Sequence, residues 1–237
     1  QSFTADLHSS GLKRIEDVSF LRNFQFAEDN GPTSHAVKPK EYVAIDNFYT
    51  TTIYEKGAEL IRMLQLLLGN ERFMRGVNVY IQTYDGRAAT TENFIDSVIN
   101  GAYPGLESCP FNVEQFQNWY YQSGTPKVYV SQHWDINNSI LNVSFQQELD
   151  QLENIQNKAM VIPILYSCYS NGDGSKPIVK DNLFVLDENK KNLKIKVLSG
   201  EKKAPILSIF RGFSSPVLWQ SDLTTDHYLF LFLNDND

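Results

Sequence analysis

The chain is poor in cysteine and has no excess of positive charge. Cys109 and Cys168 are the only cysteines among its 237 residues, and they lie far apart in sequence. This excludes a dense disulfide framework and a zinc knuckle, and it favours free thiols in a reducing, cytoplasmic compartment. The formal net charge is -7, and no lysine and arginine cluster with interleaved aromatic residues is present. We therefore expect no nucleic-acid partner.

Long apolar runs and the common catalytic motifs are also missing. The apolar run near the end, residues 228–233, is far shorter than the roughly 20 residues that span a bilayer, so we expect no membrane association. The sequence has no Gly-x-Ser-x-Gly turn and no phosphate-binding glycine loop. No histidine has a second histidine four residues away or an adjacent glutamate; the four are His8, His35, His133 and His227. We therefore expect no metal ligands here, and we expect His35 to face solvent in a loop.

The clearest pattern in the chain is the stretch of residues 46–68. It begins with polar and aromatic residues and three consecutive threonines, Thr50, Thr51 and Thr52, which are good helix starters. Apolar residues then recur at the spacing of one helix face, at Ala58, Ile61, Leu64, Leu67 and Leu68. Gly69 follows, a residue suited to the left-handed conformation past a helix end. The pattern predicts a largely buried helix with Tyr49 and Tyr54 at its N-terminus.

Two interpretations of these tyrosines remain open on the pattern alone. A helix N-terminus has unpaired N–H groups and favours negative charge, so a tyrosine hydroxyl held there could donate a hydrogen bond to an oxyanion. Alternatively, Tyr49 and Tyr54 are ordinary half-buried aromatic residues at the wet edge of a core. The helix-surface and functional interpretations of Glu55 and Lys56 are also both open.

The rest of the first half is predicted to be helix and loop. Residues 1–30 read as helical, with an intermittent apolar stripe that includes Leu12 and Ile15, and a break at Asn30. Further helices are expected after caps at Asn70, at Thr90 or Thr91, and at Asn112, where Gln115 completes an arrangement like a capping box.

The pattern changes at Pro126 from helical periodicity to short alternating runs. About seven strands with turn signals between them predict an antiparallel sandwich over residues 127–220. Pro163 interrupts the apolar run of residues 159–169, which indicates an edge or bulged strand. Residues 171–175 resemble a calcium loop but lack its glutamate, so we interpret them as a turn. Ser221 or Thr224 can cap a last helix.

Several motifs in order resemble the aminopeptidase N family of zinc metallopeptidases. The central one is Asn47-Phe48-Tyr49-Thr50 followed by Tyr54-Glu55-Lys56-Gly57. Around it stand Phe24-Gln25-Phe26-Ala27-Glu28-Asp29, Asp85-Gly86, Ala88-Ala89-Thr90, Trp119-Tyr120 and Gln122-Ser123-Gly124-Thr125-Pro126. The likeness is strongest over residues 1–126 and fainter beyond. Two positions depart from the family: Ala36 replaces a usual proline, and Asp46 stands where some relatives have asparagine.

The resemblance implies an α+β multidomain fold. Residues 1–126 would be the helical C-terminal part of a thermolysin-like catalytic domain. Residues 127–220 would be the β-sandwich that follows it, and residues 221–237 the first helix of a C-terminal helical domain. The implied activity is zinc-dependent removal of N-terminal residues from peptides with a free N-terminus, by a monomer. The zinc ligands would lie upstream of Gln1, so this chain alone would hold no catalytic zinc and would be inactive.

The resemblance also implies roles for the two tyrosines. In relatives, the tyrosine at the position of Tyr54 donates its hydroxyl to the oxyanion formed when zinc-bound water attacks the peptide carbonyl. Tyr49 matches an aromatic residue near the same pocket, with substrate binding and wall packing both open. The alternative from a different class is a non-catalytic binding or interaction module made of helices and a sandwich. A His-Glu-x-x-His helix in the upstream reading frame would support the enzyme, and its absence the module.

Overall fold

The computed structural model describes residues 2–42, 44–105, 108–149, 159–171, 177–197 and 203–237, with side chains from residue 11 onward. Its helices are α1 (Ser2–Phe20), α2 (Phe26–Asp29), α3 (Gly57–Leu68), α4 (Asn70–Tyr84), α5 (Thr91–Ala102), α6 (Val113–Tyr121) and α7 (Thr225–Asn234). Its strands are β1 (Lys127–Asp135), β2 (Ile140–Glu148), β3 (Ile162–Tyr169), β4 (Pro177–Leu186), β5 (Lys190–Lys196), β6 (Ile206–Ile209) and β7 (Leu218–Ser221). The expected α+β class is confirmed.

Helix α1 continues into α2 through a π-helical turn, Leu21–Gln25. The helical course ends at Asn30, whose Nδ2 donates to the carbonyl oxygen of Phe26 at 2.7 Å. The prediction of a helix before Asn30 is confirmed. The apolar stripe of α1 is not a buried face, however, because Leu12 and Ile15 are 65% and 69% exposed.

A second helical course begins at Thr51 and includes another π-helical turn, Thr52–Lys56, before α3. Thr50 caps it: its Oγ1 accepts from the Ile53 N–H at 3.2 Å, and its carbonyl accepts from the Tyr54 N–H at 3.2 Å. The prediction that the threonines start this helix is confirmed. The later turns of α3 bury an apolar face made of Leu60, Met63, Leu64, Leu67 and Leu68, whereas Ala58 is exposed.

The junction between α3 and α4 differs in detail from the expectation. Gly69 has a positive φ of 76°, which favours glycine as the sequence predicts, but its ψ of 153° differs from that of the left-handed helical conformation. Helix α4 therefore starts at the next residue, and Phe73 N–H bonds to the carbonyl of Gly69. The expected cap from Asn70 is wrong, because Asn70 lies inside the helix and its Oδ1 accepts from Gln65 Nε2 at 3.0 Å.

Side-chain caps begin the next two helices, as the sequence predicts. Thr90 Oγ1 accepts from the Asn93 N–H at 3.2 Å, and Asn112 Oδ1 accepts from the Gln115 N–H at 3.0 Å. Helices α4 and α5 approach closely at a glycine, because a Cβ on Gly76 would lie 2.3 Å from the backbone oxygen of Val98.

The strands form two sheets with the orders β5-β2-β1-β7 and β4-β3-β6. All neighbouring pairs are antiparallel except β1 and β7, which are parallel. The expectation of a fully antiparallel sandwich is therefore wrong at this one edge, where the chain arrives from β6 in the other sheet. Phe145 and Phe184 stack between the sheets with ring centroids 4.9 Å apart.

The strand that contains Pro163, β3, is the central strand of its sheet and has shifts of register, so of the two expected alternatives the bulged strand is confirmed. Pro163 pairs with Val185 of β4, whereas β6 pairs with β3 only from Tyr166 to Tyr169, so no strand of the described residues lies beside Pro163 on that side. The register of β3 shifts on either side of Cys168. Most of the predicted turn at residues 171–175 lies outside the described residues. Thr224 caps α7 through the His227 N–H, as expected.

One hydrophobic core runs from α3 through α6 into both sheets. Trp119 of α6 is fully buried, and its Nε1 donates to the carbonyl of Val161 at 2.8 Å. Gln115 Nε2 also donates to the carbonyls of Ala159 and Asp187, at 3.1 and 2.5 Å. Helix α6 is therefore fixed to the sandwich by both apolar packing and hydrogen bonds.

Candidate functional site

Tyr49 and Tyr54 lie side by side at the protein surface. Tyr54 is in the π-helical turn Thr52–Lys56, hereafter the Tyr54 turn, and Tyr49 follows the 3-10 turn Ile45–Phe48. Their rings stack with centroids 6.2 Å apart and an interplanar angle of 22°. They are 69% and 57% exposed, respectively. The structure therefore brings the two sequence-derived candidates together, with both rings open to solvent.

The N-terminus of the Tyr54 turn already holds a negative charge supplied by the protein. Glu28 Oε2 accepts from the Thr52 N–H at 3.0 Å, from Thr52 Oγ1 at 3.2 Å and from Thr51 Oγ1. Thr50 Oγ1 accepts a hydrogen bond from the Ile53 N–H. These N–H groups are thus committed within the protein, and they do not form an open anion site as the sequence pattern suggested. What remains accessible at this end of the helix is the ring of Tyr54.

His35 faces Glu28 instead of solvent. It is partly buried; its Nδ1 lies 2.8 Å from the carbonyl of Ala36, and its Nε2 lies 3.5 Å from Glu28 Oε1. The expectation of a solvent-facing loop histidine is therefore wrong. Sequence spacing missed this contact because the two residues meet across the break that follows Asn30.

The two π-helical turns contact each other through Gln25 and Thr52, and the second of them contains Tyr54. Gln25, at the end of the first turn, is fully buried, and its Nε2 donates to Thr52 Oγ1 at 3.3 Å. Thr52 is also fully buried. π-Helical turns are rare and concentrate at functional sites. The spacing of apolar residues did not predict either turn, since an extra residue in a helical turn requires no change of residue type.

Lys56 is neither a surface residue nor free to reach a ligand. It is 1% exposed, and its Nζ donates to Asp29 Oδ2 at 2.8 Å and to the carbonyl of Gly124 at 2.9 Å. Thr125 Oγ1 donates to the same Asp29 oxygen at 3.0 Å. The helix-surface interpretation of Lys56 is wrong. Its partners belong to two of the other family-like motifs, the one that ends at Asp29 and the one that contains Gly124.

The next turn of the helix is fixed by a second ion pair. Arg14 of α1 binds Glu59 with two parallel bonds of 2.6 and 2.7 Å, and both side chains are largely buried. Arg14 also donates to the carbonyls of Gly212 and Phe213 at 3.2 and 3.0 Å. This two-bond geometry fixes direction as well as distance. Arg14 thereby connects α1 to α3 and to the turn that precedes β7.

The loop that carries His35 is anchored by a cluster at its far end. Lys38 N–H donates to the carbonyl of Tyr120 at 2.8 Å, and Lys38 Nζ binds Glu92 Oε1, which also accepts from Tyr121 Oη. These two donors, the ammonium first, lower the pKa of Glu92 to about 2.

The described side chains do not fit a catalytic zinc. None of them form a group of three histidine, cysteine, aspartate or glutamate residues that could hold a metal ion. His35 is turned to Ala36 and Glu28, and His227 Nδ1 accepts from the Thr224 N–H. A catalytic zinc needs three protein ligands.

Both described cysteines are free thiols. In the described part of the chain no helix is long and apolar enough to cross a bilayer.

Comparison with known proteins identifies the class of this chain. A peptidase family M1 domain matches residues 4–120, and a domain of unknown function with an Ig-like fold matches residues 124–222. The chain is thus an M1 peptidase segment followed by an Ig-like domain. Aminopeptidase N of Haemophilus influenzae is 35% identical over 97% of this chain, and aminopeptidase N of Caulobacter vibrioides is 36% identical over 100% of it. The chain belongs to the aminopeptidase N family, whose members are zinc-dependent metallopeptidases.

The chain is short compared with these relatives. It covers 26% of the length of each of the two proteins. A solved structure of Legionella pneumophila aminopeptidase A in complex with aspartic acid matches 95% of this chain and 25% of its own, with a TM-score of 0.72 and 24% sequence identity. At that identity the match shows the fold alone.

Proposed function

We propose that this chain is part of a longer zinc-dependent aminopeptidase and that Tyr54 stabilises the oxyanion formed on the scissile carbonyl. The observation that carries the proposal is the contrast at the Tyr54 turn. Thr52 and Lys56, at the two ends of the turn, are buried and hydrogen-bonded, whereas Tyr54 itself is 57% exposed. A hydroxyl donor on a fixed backbone needs little reorganisation when charge develops on a substrate, which is the requirement for electrostatic catalysis.

Tyr49 has a supporting part in this proposal. Its ring stacks on Tyr54 and is the more exposed of the two. We assign it to substrate binding, as a wall that limits the motion of the Tyr54 ring and contacts the peptide. The zinc of the parent enzyme is assigned to residues outside this chain, because the relatives are about four times as long and the described residues offer no fitting ligand group.

The remaining parts of the proposal concern organisation and partners. We assign residues 1–126 to the catalytic domain, 127–220 to the β-sandwich and 221–237 to the first helix of a further helical domain. The substrates are peptides with a free N-terminus, and the enzyme is a cytoplasmic monomer that binds neither nucleic acid nor membranes. The sequence match on both sides of residue 122 supports this order.

An interaction module is the second candidate, and one observation favours it. Exposed aromatic rings continue beyond the tyrosine pair, since Tyr42 and Phe48 contact each other with centroids 4.5 Å apart and are 59% and 36% exposed. A surface of this kind also suits protein binding. The module differs from the enzyme in predicting that loss of the Tyr54 hydroxyl alone has no effect on peptide hydrolysis by the parent.

The proposal is tested by comparing this chain with its parent protein. Both are purified, supplied with zinc, and assayed for bound metal and for hydrolysis of an aminoacyl reporter. We expect the 237-residue chain to bind no stoichiometric zinc and to be inactive. The parent should bind zinc and show activity that a chelator removes. Stoichiometric zinc with chelator-sensitive turnover in the shorter chain would contradict the proposal.

A further inference from the structure

We propose that Glu28 is a positioning residue for Tyr54, holding the Tyr54 turn in place by capping its N-terminus from a different helix. The inference rests on the proposed function, because it gives a catalytic purpose to the orientation of Tyr54. It concerns a residue that lies 26 positions earlier in the chain and belongs to α2.

The hydrogen bonds of Glu28 lie at the start of the helical course that carries Tyr54. One oxygen, Oε2, accepts from Thr51 Oγ1, the Thr52 N–H and Thr52 Oγ1, all within three residues of Tyr54. Hydrogen bonds to a charged acceptor are stronger than neutral ones, and negative charge is favourable at a helix N-terminus. Glu28 therefore binds the one part of the helix whose N–H groups have no partner within the helix.

Glu28 is itself largely buried, between the Tyr54 turn and His35. Its other oxygen faces His35 Nε2 at 3.5 Å, and the carboxylate is only 18% exposed. The π-helical turn that precedes α2 adds one residue to the helix, which rotates the following side chains by about 100° relative to an unbroken α-helix. The neighbouring Asp29 binds Lys56, at the end of the Tyr54 turn. Consecutive residues of α2 thus fix both ends of that turn.

Glu28 acts on Tyr54 by positioning the turn that carries it. The bonds of Glu28 run to backbone and threonine groups, so its effect on Tyr54 passes through the turn. Catalytic hydroxyls are sensitive to such placement, since a displacement of about 1 Å can cost on the order of a hundredfold in rate. A contribution to the transition state alone lowers kcat and leaves KM unchanged.

The test uses Glu28→Gln with Glu71→Gln as a matched control. Glu71 is an exposed glutamate in the first turn of α4, so its substitution removes the same charge from a helix N-terminus remote from Tyr54. Hydrogen exchange of the 237-residue chain, followed by mass spectrometry, reports the N–H groups of residues 51–54. Steady-state kinetics of the same variants in the parent enzyme report kcat and KM.

We expect Glu28→Gln to speed exchange in residues 51–54 by about tenfold, to leave exchange in α4 and the sheets unchanged, and to lower kcat by about tenfold at constant KM. Glu71→Gln should change neither quantity. Thr51→Val removes one donor and keeps the side-chain shape, so it should give a smaller effect of the same kind if Glu28→Gln disturbs folding. Unchanged local exchange and unchanged kcat in both variants would overturn the proposal.

The two proposals fail in different ways. If Glu28→Gln loosens residues 51–54 but Tyr54→Phe leaves kcat unchanged, Glu28 caps the turn and the catalytic role of Tyr54 is wrong. If Tyr54→Phe lowers kcat while Glu28→Gln changes neither exchange nor kcat, the positioning role is wrong and the proposed function stands.

Discussion

The helical course from Thr51 to Leu68 is built differently at its two ends. At its start, buried polar residues each have a directional partner on another element: Thr52 binds Glu28, Lys56 binds Asp29, and Glu59 binds Arg14. At its end, Leu64, Leu67 and Leu68 are buried in the apolar core. Directional bonds fix an orientation, whereas hydrophobic burial is non-directional and fixes mainly proximity. Tyr54 lies at the start of the helical course, where the directional bonds are.

The largest expected effect comes from breaking the buried pair at the start. Lys56→Met should lower the free energy of unfolding by about 3–5 kcal/mol, because Asp29 is left buried without its cation. Chemical denaturation measures the change. The double variant Asp29→Asn with Lys56→Met removes the uncompensated charge and should recover most of the loss. A single variant as stable as the original chain would show that the pair does not fix this end.

The apolar end should respond to volume but tolerate a change of shape. Leu64→Ala should cost about 2–5 kcal/mol, because Leu64 is fully buried and the cavity cannot collapse completely. Leu64→Met keeps the volume and should cost less than about 1.5 kcal/mol. Thermal or urea unfolding of both variants measures the difference. If Leu64→Met were as damaging as Leu64→Ala, this end would also depend on specific geometry, and the contrast with the start would disappear.

The cap at the start should have an intermediate effect. Thr50→Ala removes the acceptor for the Ile53 N–H and should cost about 1 kcal/mol. Thr50→Ser keeps an oxygen at the same position and should cost less. Equal stability of the Ala variant and the original chain would mean that Glu28 alone satisfies this helix N-terminus.

The smallest effect concerns the cluster that anchors the loop of His35. The pKa of Glu92 is lowered to about 2, first by Lys38 and then by Tyr121. A lowered folded-state pKa stabilises the protein above the unfolded-state value, about 4.3, and this contribution is lost as the pH falls towards 2. NMR titration of the Glu92 carboxyl should therefore give a midpoint near 2, and Lys38→Met should raise it. A midpoint near the unfolded value in the original chain would show that the cluster is open in solution.

The sequence was sufficient for the local features of this fold. The caps at Thr90, Asn112 and Thr224 follow from residue type, and the bulged strand that contains Pro163 follows from an apolar run interrupted by a proline. These features depend on neighbouring residues, so a local pattern predicts them. The placement of Tyr49 and Tyr54 at a helix N-terminus follows in the same way, from the threonine run and the apolar residues at helical spacing after it.

The features that the sequence did not predict depend on distant contacts. Lys56 looks like a helix-surface residue until Asp29 and Gly124 are placed around it. The parallel pairing of β7 depends on where the chain crosses between the sheets. The contact between the two π-helical turns joins Gln25 and Thr52, which are 27 positions apart in the chain.

The central claim is that Tyr54 stabilises the oxyanion, and comparison of Tyr54→Phe with Tyr49→Phe in the parent enzyme tests it most directly. The two rings stack on each other and are both exposed, so each variant loses one hydroxyl from the same surface. We predict that Tyr54→Phe lowers kcat by about 10²–10³ with little change in KM, because one oxyanion donor is lost. Tyr49→Phe should mainly raise KM. Retention of kcat by Tyr54→Phe to within about twofold would contradict the account.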